Sequence, residues 1–268
     1  MKTNQLNDKL INKLAEKNSD SKQMPIIRIF DELDSTSEYL KRLIAQAPQI
    51  KPMIVLAAKQ TSGHGKRGRP FYSPAGTGIY MSILIPQVQI DPELSGRITI
   101  GAAMAVIEAI KNNFSNIKLT AKWVNDILFQ GRKIGGILAE MITDVNEQKN
   151  LVLGIGINLN TQDFPNDLKG QAGSLTNEVE SGVREAIISE IYSNFIKQLG
   201  QIGSEVTIDQ YRQVSDTIGR MVEVQTGNMI IRGLAKDIDN LGNLVVELND
   251  GQLRHIVSGD VLKVNATN

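Results

Sequence analysis

The spacing of hydrophobic positions predicts a short helix at the start of the chain. Within residues 3–17, Leu6, Leu10 and Leu14 recur every four residues with Ile11 alongside, which is the pattern of one apolar helix face. We expect this helix either to dock on the rest of the protein or to fray, and a polar, linker-like segment follows it.

From Ile26 the pattern becomes that of an α/β region. Short apolar runs predict strands, and longer stretches with an apolar stripe predict helices. The predicted strands cover residues 26–30, 53–59, 79–85, 118–123, 126–130, 133–142 and 150–158. The predicted helices cover 94–113, 184–200 and 207–214, together with one that begins at the N-cap oxygens of Asp34, Ser35 and Thr36 and runs to about Ala47.

After Gly219 the chain changes to short strands separated by turns, which is typical of a small β-barrel. The predicted strands cover 220–225, 229–238, 243–248, 252–257 and 261–264. We therefore expect an N-terminal helix and linker over 1–25, an α+β domain over 26–217 and a small barrel domain over 218–268.

Composition excludes several kinds of site. The chain has no cysteine, which removes disulfides, thiolate metal sites and a cysteine nucleophile, and fits a reducing compartment. Its two histidines, His64 and His255, lie far apart in sequence, so a histidine-rich zinc site is not expected. Neither a signal peptide nor an apolar run long enough to span a membrane is evident. We expect a cytoplasmic protein without a membrane partner.

Charge is distributed unevenly, although 29 basic and 29 acidic residues sum to zero. The zero sum argues against a general nucleic-acid binder. Residues 39–90 contain seven Lys or Arg and no acid, a local charge of +7, whereas residues 140–180 contain seven acids and two lysines, a charge of −5. The positive part centres on a Gly-rich loop at 60–78, where close backbone N–H groups and cations suit an anionic small ligand.

This loop contains a literal G-x-G-x-x-G string at residues 63–68, but a dinucleotide-binding fold is rejected. That fold requires a helix directly after the glycines, whereas Pro70 and Pro74 follow here with no amphipathic period. A P-loop is rejected as well, because the loop lacks the Gly-Lys-Ser/Thr ending.

Five segments resemble, in order, the motifs of the biotin protein ligases. Residues 60–69 (QTSGHGKRGR) resemble the family's adenylate-binding loop, G-R-G-R-x-G-R. The other segments are 34–37 (DSTS) for D-S-T-N, 122–126 (KWVND) for K-W-P-N-D, 132–140 (RKIGGILAE) for R-K-[IL]-[AG]-G-I-L-x-E, and 154–158 (GIGIN) for G-[IV]-G-[IL]-N. Any one motif is weak, but five in order at family-like spacing are specific, and the resemblance spans about 26–265.

Three residues depart from the family pattern. His64 and Lys66 replace two arginines, and Val124 replaces a proline. Lysine keeps the positive charge but lacks the bidentate fork of arginine, and histidine is not reliably charged at neutral pH. We expect the departures to alter kinetics or retention of the intermediate.

The resemblance implies a catalytic domain of the class II aminoacyl-tRNA-synthetase type, with a mixed sheet and helices, followed by a C-terminal SH3-like barrel. It also implies that biotin is activated by ATP to biotinyl-5′-AMP and then transferred to a lysine of a biotin carboxyl carrier domain, that of acetyl-CoA carboxylase or a related carboxylase. The substrates would be biotin and the Mg²⁺ complex of ATP, with no tightly bound prosthetic group, no nucleic-acid partner, and a monomer or homodimer as the assembly.

The same resemblance implies most of the site residues, and Tyr80 and Ser82 are added because they lie two residues apart on one face of a predicted strand. The catalytic candidates are Lys133, Asp126 and Lys66, with Lys133 between the two reacting anions and Asp126 as the magnesium ligand. The biotin-binding candidates are Ser35, Thr36, Ser37, Gln60, Gly63, His64, Gly65, Lys66, Tyr80, Ser82, Lys133 and Gly136. The ATP or adenylate candidates are Arg67, Arg69, Lys122, Asn125 and Asn158. By position alone, Lys133 would be a surface lysine beside a hairpin turn and Asp126 a turn residue.

Three alternatives stay open at this point. A lipoyl or octanoyl protein ligase shares the fold and also activates a carboxylate, although its substrate has no ureido group for the Ser, Thr and Gln side chains. A non-catalytic biotin-sensing module would not need the lysine, the Asn-Asp pair and the loop together. A DNA-binding repressor is disfavoured because about 25 N-terminal residues are too few for a winged helix, which takes roughly 60.

Overall fold

The structure, a computed structural model, describes residues 9, 10, 13, 14 and 24–265, with side chains as far as 262. Its first sheet contains β1 (Ile26–Leu33), β2 (Met53–Gln60), β3 (Gly78–Ile85), β4 (Leu119–Lys122), β5 (Asp126–Phe129), β6 (Arg132–Thr143) and β7 (Lys149–Asn158). Its helices are α1 (Thr36–Gln46), α2 (Ser95–Asn113), α3 (Val183–Gly200) and α4 (Val206–Val214). The second sheet contains β8 (Met221–Thr226), β9 (Met229–Ile238), β10 (Leu244–Glu247), β11 (Leu253–Ile256) and β12 (Asp260–Asn265).

The first sheet is mixed and is covered on both faces. Its strand order is β1-β2-β3-β7-β6-β5-β4, with β1 and β2 parallel and every other pair antiparallel. Along β2, Ile54 and Leu56 enter the main core with α2, α3 and α4, whereas Met53 and Val55 pack with α1. Because successive strand residues point to opposite faces, a strand covered on both faces has a continuous apolar sequence.

The second sheet is antiparallel, in the order β11-β10-β9-β8-β12, and packs against the first part of the fold. The buried Trp123 donates its indole N–H to the carbonyl of Gly242 at 3.0 Å. Arg97 of α2 is also mostly buried and donates to the carbonyl of Asn240. These contacts fix the second sheet so that the start of β12 reaches the carboxyl end of β4.

From Ile26 onward the predicted strands and helices are confirmed, with differences at their ends. The largest is in β1, which runs to Leu33 because it continues its parallel pairing with β2. At the N-terminus, Leu10 and Leu14 are helical and fully buried in the main core, whereas Leu6 and Ile11 lie outside the described residues. Across the described part of the chain, no helix combines the length and apolar character needed to cross a membrane.

Candidate active site

A pocket lies where the first sheet, the Gly-rich loop and the second sheet meet. Its walls come from the N-terminus of α1, the central strands β6 and β7, the loop after β2, and the start of β12. Most of the predicted site residues line it: Ser35, Thr36, Ser37, Gln60, His64, Gly65, Lys66, Arg69, Lys122, Asn125, Asp126, Lys133 and Gly136. Segments separated by more than two hundred residues in sequence, from Ser35 to Val261, therefore converge on one cavity.

One wall of the pocket is a network of neutral polar groups. The hydroxyl of Ser82, which is fully buried on β3, lies 2.7 Å from that of Thr36 and 2.9 Å from that of Ser37. The side-chain oxygen of Gln60 accepts from the backbone N–H of Thr36 at 2.9 Å, and its amide nitrogen donates to Ser73 at 3.1 Å. The network fixes hydroxyl and amide groups that face the pocket, whose lining also includes the apolar side chains of Phe71, Met81 and Ile137.

Asp34, which lies just before the wall residues of α1, is held by an ion pair with Arg42. Ser35 is the N-cap of α1, and its hydroxyl accepts from the backbone N–H of Glu38. The Asp34 carboxylate accepts two bonds from Arg42, at 2.6 and 2.9 Å, and one from the Ser35 backbone N–H. Hydrogen bonding to Arg42 is the main cause that lowers the pKa of Asp34 to about 2.

Two glycines of β7 keep the pocket open. A Cβ atom on Gly156 would lie 2.5 Å from the ring of Phe71, and one on Gly154 would lie 2.7 Å from the hydroxyl of Ser37. Both distances are well inside van der Waals contact, so no larger residue fits without displacing a wall. Gly156 and Gly154 therefore let the sheet backbone approach the pocket closely.

The opposite end of the pocket carries charge. The carboxylate of Asp126, at the start of β5, lies 2.6 Å from the ammonium of Lys133 and 3.5 Å from that of Lys122. Lys122 also donates to the carbonyl of Val261. The neighbouring Asn125 donates its side-chain amide to the carbonyl of Ile137 at 3.2 Å. Two cations flank one carboxylate, so this end is positively charged overall and suits an anion.

The Gly-rich loop folds over the pocket as a tight turn. His64 and Pro70 form a β-bridge, and Arg67 adopts a left-handed backbone with φ of 56°. The ammonium of Lys66 lies inside, 5.9 Å from the centre of the Trp123 ring, which is the range of a cation–π contact. Burial lowers the pKa of Lys66, and the carboxylate of Asp260 opposes that shift. His64 lies beside Glu38, with 3.4 Å between Nε2 and the carboxylate.

Five predicted residues lie outside the pocket lining: Gly63, Arg67, Tyr80, Ser82 and Asn158. Tyr80 is buried and donates its phenol O–H to the carbonyl of Pro74 at 3.0 Å. Asn158 donates to the carbonyl of Gly173 at 3.2 Å. Gly63 packs against Gln60, and Ser82 lies behind the hydroxyl wall. Gly63 and Ser82 thus support the wall, Tyr80 and Asn158 bond to backbone carbonyls elsewhere, and Arg67 pairs with Asp260.

Other pocket residues were not singled out from sequence. Phe71 and Asp260 line the pocket, as does Trp123, for which no catalytic role is predicted. The segment after β7 also reaches the site, because Lys133 donates its backbone N–H to Gln171. Asp260 is nearly two hundred residues from the loop it touches, so no local pattern marks it; the glycines of β7 were visible as a motif.

Comparison with known proteins gives this architecture a family. The model of the Biotin/lipoate A/B protein ligase family matches residues 29–158, and that of the Biotin protein ligase C terminal domain matches residues 217–264. The chain belongs to the Biotin/lipoate A/B protein ligase family.

Individual relatives agree with that assignment. The Bifunctional ligase/repressor BirA of Bacillus subtilis is 31% identical over 239 residues, which cover 87% of this chain and 73% of the relative. The Biotin--[acetyl-CoA-carboxylase] ligase of Mycobacterium tuberculosis is 29% identical, with 85% of each chain covered. The structure of the biotin protein ligase from Aquifex aeolicus in complex with biotin and ATP superposes with a TM-score of 0.74 at 23% identity, over 91% of this chain and 100% of that one.

Proposed function

We propose that this protein is an ATP-dependent ligase that converts biotin to biotinyl-5′-AMP and transfers the biotinyl group to a lysine of a biotin carboxyl carrier protein. The observation that carries the proposal is the polarity of one pocket. Its neutral hydroxyl and amide wall lies at one end, and the cluster of Asp126, Lys122 and Lys133 lies at the other.

The neutral wall suits the ureido ring of biotin. That ring is uncharged but both donates and accepts hydrogen bonds, as do hydroxyl and amide side chains. Ser37, Thr36 and Gln60 would bind it, with Ser82 holding their hydroxyl groups in place. The sulfur-containing ring and the aliphatic chain would then pass along the glycines of β7 and the side chain of Ile137 toward Lys133.

The first step is a displacement between two anions. The biotin carboxylate is already ionised near neutral pH, so its oxygen attacks the α-phosphorus of ATP without a general base, and pyrophosphate leaves. Catalysis then consists mainly of positioning and charge neutralisation. Lys133 is one of the two cations at the charged end of the pocket, and Asp126 holds its ammonium at 2.6 Å.

Magnesium would enter with ATP as part of the substrate. Magnesium bound with ATP usually takes one or two carboxylates plus phosphate oxygens, and Asp126 is a carboxylate that lines the pocket. Across the described residues no group of three or more His, Cys, Asp or Glu is placed to hold a metal by itself. One protein carboxylate together with phosphate oxygens is within the usual range for a metal delivered by the nucleotide.

The second step forms an amide. A carrier lysine must lose its proton before its nitrogen attacks the acyl carbon, because a free lysine has a pKa of about 10.4. AMP then leaves with the bonding electron pair. Asp126 is our candidate to accept that proton, and the cations of the loop would bind the adenylate phosphate.

The proposed function also assigns the domains of the chain. We assign residues 26–217 to a catalytic domain of the class II aminoacyl-tRNA-synthetase type, 218–268 to an SH3-like barrel, and 1–25 to a helix and linker. The boundary between 217 and 218 is supported because all strands of the first sheet precede it and all strands of the second sheet follow it. A cysteine-free chain is consistent with a cytoplasmic reaction.

A lipoyl or octanoyl ligase is the second candidate, and acyl-adenylate formation separates the two. The chain is incubated with Mg²⁺, ATP and biotin, lipoate or octanoate, and the products are separated by chromatography. We expect biotinyl-AMP, and little acyl-AMP from the other acids, because they offer no ureido partner to the hydroxyl wall. Formation of lipoyl-AMP or octanoyl-AMP in preference would replace the proposal, and no acyl-AMP from any acid would favour a sensing module.

A further inference from the structure

The start of β12 in the second sheet holds the cations of the Gly-rich loop. Lys66 donates to the carbonyl of Gly259 at 2.9 Å, and Arg67 and Arg69 both pair with the carboxylate of Asp260, at 3.0 and 2.6 Å. The loop that covers the pocket is thus attached to a different sheet from the one that carries the catalytic lysine.

The burial of Asp260 makes this attachment strong. Its side chain is 6% exposed, whereas Arg67 is 34% and Arg69 59% exposed. A buried carboxylate requires charged or hydrogen-bonding partners, and two guanidinium groups supply them. The two arginines are less buried and remain partly accessible to solvent, and Arg69 also lines the pocket.

The charge balance leaves these arginines able to bind a further anion. One carboxylate and two guanidinium groups sum to +1, and each guanidinium has five N–H donors. Arg67 uses two of its nitrogens, one on Asp260 and one on the carbonyl of Gln225 at 3.3 Å. A phosphate group would therefore meet cations that are already oriented and not fully neutralised.

We infer that Asp260 is a positioning residue that fixes Arg67 and Arg69 for the triphosphate of ATP, so that the second sheet sets the affinity for the nucleotide. The inference rests on the proposed function, since it takes ATP to be the anion. Without Asp260 the two long side chains regain rotamer freedom, and the loop keeps only the bonds of Lys66 and Arg67 to backbone carbonyls of the second sheet. The groups proposed to bind the ureido ring of biotin, Thr36, Ser37 and Gln60, lie on α1 and β2, so the affinity for biotin is expected to change little.

The test compares Asp260→Asn with Asp237→Asn. Asp237 pairs with Arg212 at 2.9 Å and ties the same second sheet to α4, away from the pocket, so it controls for the loss of one such ion pair. Calorimetric titration of MgATP without biotin should show about tenfold weaker binding in Asp260→Asn and unchanged binding in Asp237→Asn. In the adenylation assay the KM for ATP should rise and the KM for biotin should not.

Two further variants separate positioning from a structural role. Asp260→Glu keeps the negative charge, so this variant should retain most of the wild-type affinity for ATP. In a chain that carries Arg67→Met and Arg69→Met, adding Asp260→Asn should change nothing further, because Asp260 acts through those arginines.

The inference is overturned if Asp260→Asn binds MgATP as well as or better than the wild type, or if its effects add fully to those of the arginine variants. If Asp260→Asn does not fold, the affinity for MgATP of Asp260→Glu and of the Arg67→Met/Arg69→Met double variant decides. The inference is supported if Asp260→Glu keeps the affinity and the double variant loses it. Any other pattern overturns the inference. Absence of biotinyl-AMP in the wild type would refute the proposed function, and MgATP titration would still test Asp260.

Discussion

Replacement of Ser82 by alanine tests the hydroxyl wall, because Ser82 supports the wall without lining the pocket. The variant removes two hydrogen bonds, at 2.7 Å to Thr36 and 2.9 Å to Ser37, from a fully buried position. Each such bond contributes about 0.5–1.5 kcal/mol net, so the free energy of unfolding should fall by about 1–3 kcal/mol. The Ser37 hydroxyl would lose its partner on β3, and the KM for biotin should rise by about tenfold, which corresponds to about 1.4 kcal/mol.

The control is Ser189→Ala. Ser189 is also fully buried, and its hydroxyl donates to the carbonyl of Lys13, far from the pocket. Urea unfolding and biotin-dependent pyrophosphate exchange are measured for both variants. We expect both to lose stability and Ser82→Ala alone to lose affinity for biotin. Equal KM values for biotin in wild type and Ser82→Ala would refute the idea that Ser82 orients a biotin-binding wall.

Three further outcomes are expected. Lys133→Ala should slow biotin-dependent pyrophosphate exchange by about 10²–10³-fold, as loss of a charge-stabilising group does, and near wild-type exchange would remove Lys133 from the first step. Gly156→Ala should raise the KM for biotin because its Cβ would lie 2.5 Å from the Phe71 ring; partial recovery on adding Phe71→Leu would confirm that cause, and no change in KM would contradict it. Asp34→Asn should make the free energy of unfolding depend less on pH in acid. Arg42 holds the pKa of folded Asp34 at about 2, so the ionised carboxylate stabilises the fold above the unfolded pKa, and this stabilisation is lost as pH falls through about 2. An unchanged acid unfolding curve would contradict that coupling.

The elements of the fold followed from local patterns. The continuous apolar run of β2 and the apolar stripe of α2 are signals that a few neighbouring residues carry, so their positions could be predicted. The order of strands could not, because β3 pairs with β7 through contacts between residues about seventy positions apart. Pairing at that range depends on the whole chain.

The candidate site shows the same division. Residues in short motifs, such as Thr36, Gln60 and Lys133, were identifiable because the motif keeps them together. Tyr80 was predicted to face the pocket from its strand position, and it does share a face with Ser82, but its phenol group turns to Pro74 behind the wall. Asp260 was not singled out, since only the packing of the second sheet brings it to the loop.

The most direct test of the central claim is transfer of biotin to a carrier domain. A biotin carboxyl carrier domain is incubated with the protein, biotin, ATP and Mg²⁺, and its intact mass is measured, with a carrier whose acceptor lysine is replaced by arginine as the control. We predict a mass increase of one biotinyl group that requires ATP and the acceptor lysine. An unmodified carrier in the complete reaction, or a mass increase that does not depend on ATP, would contradict the account.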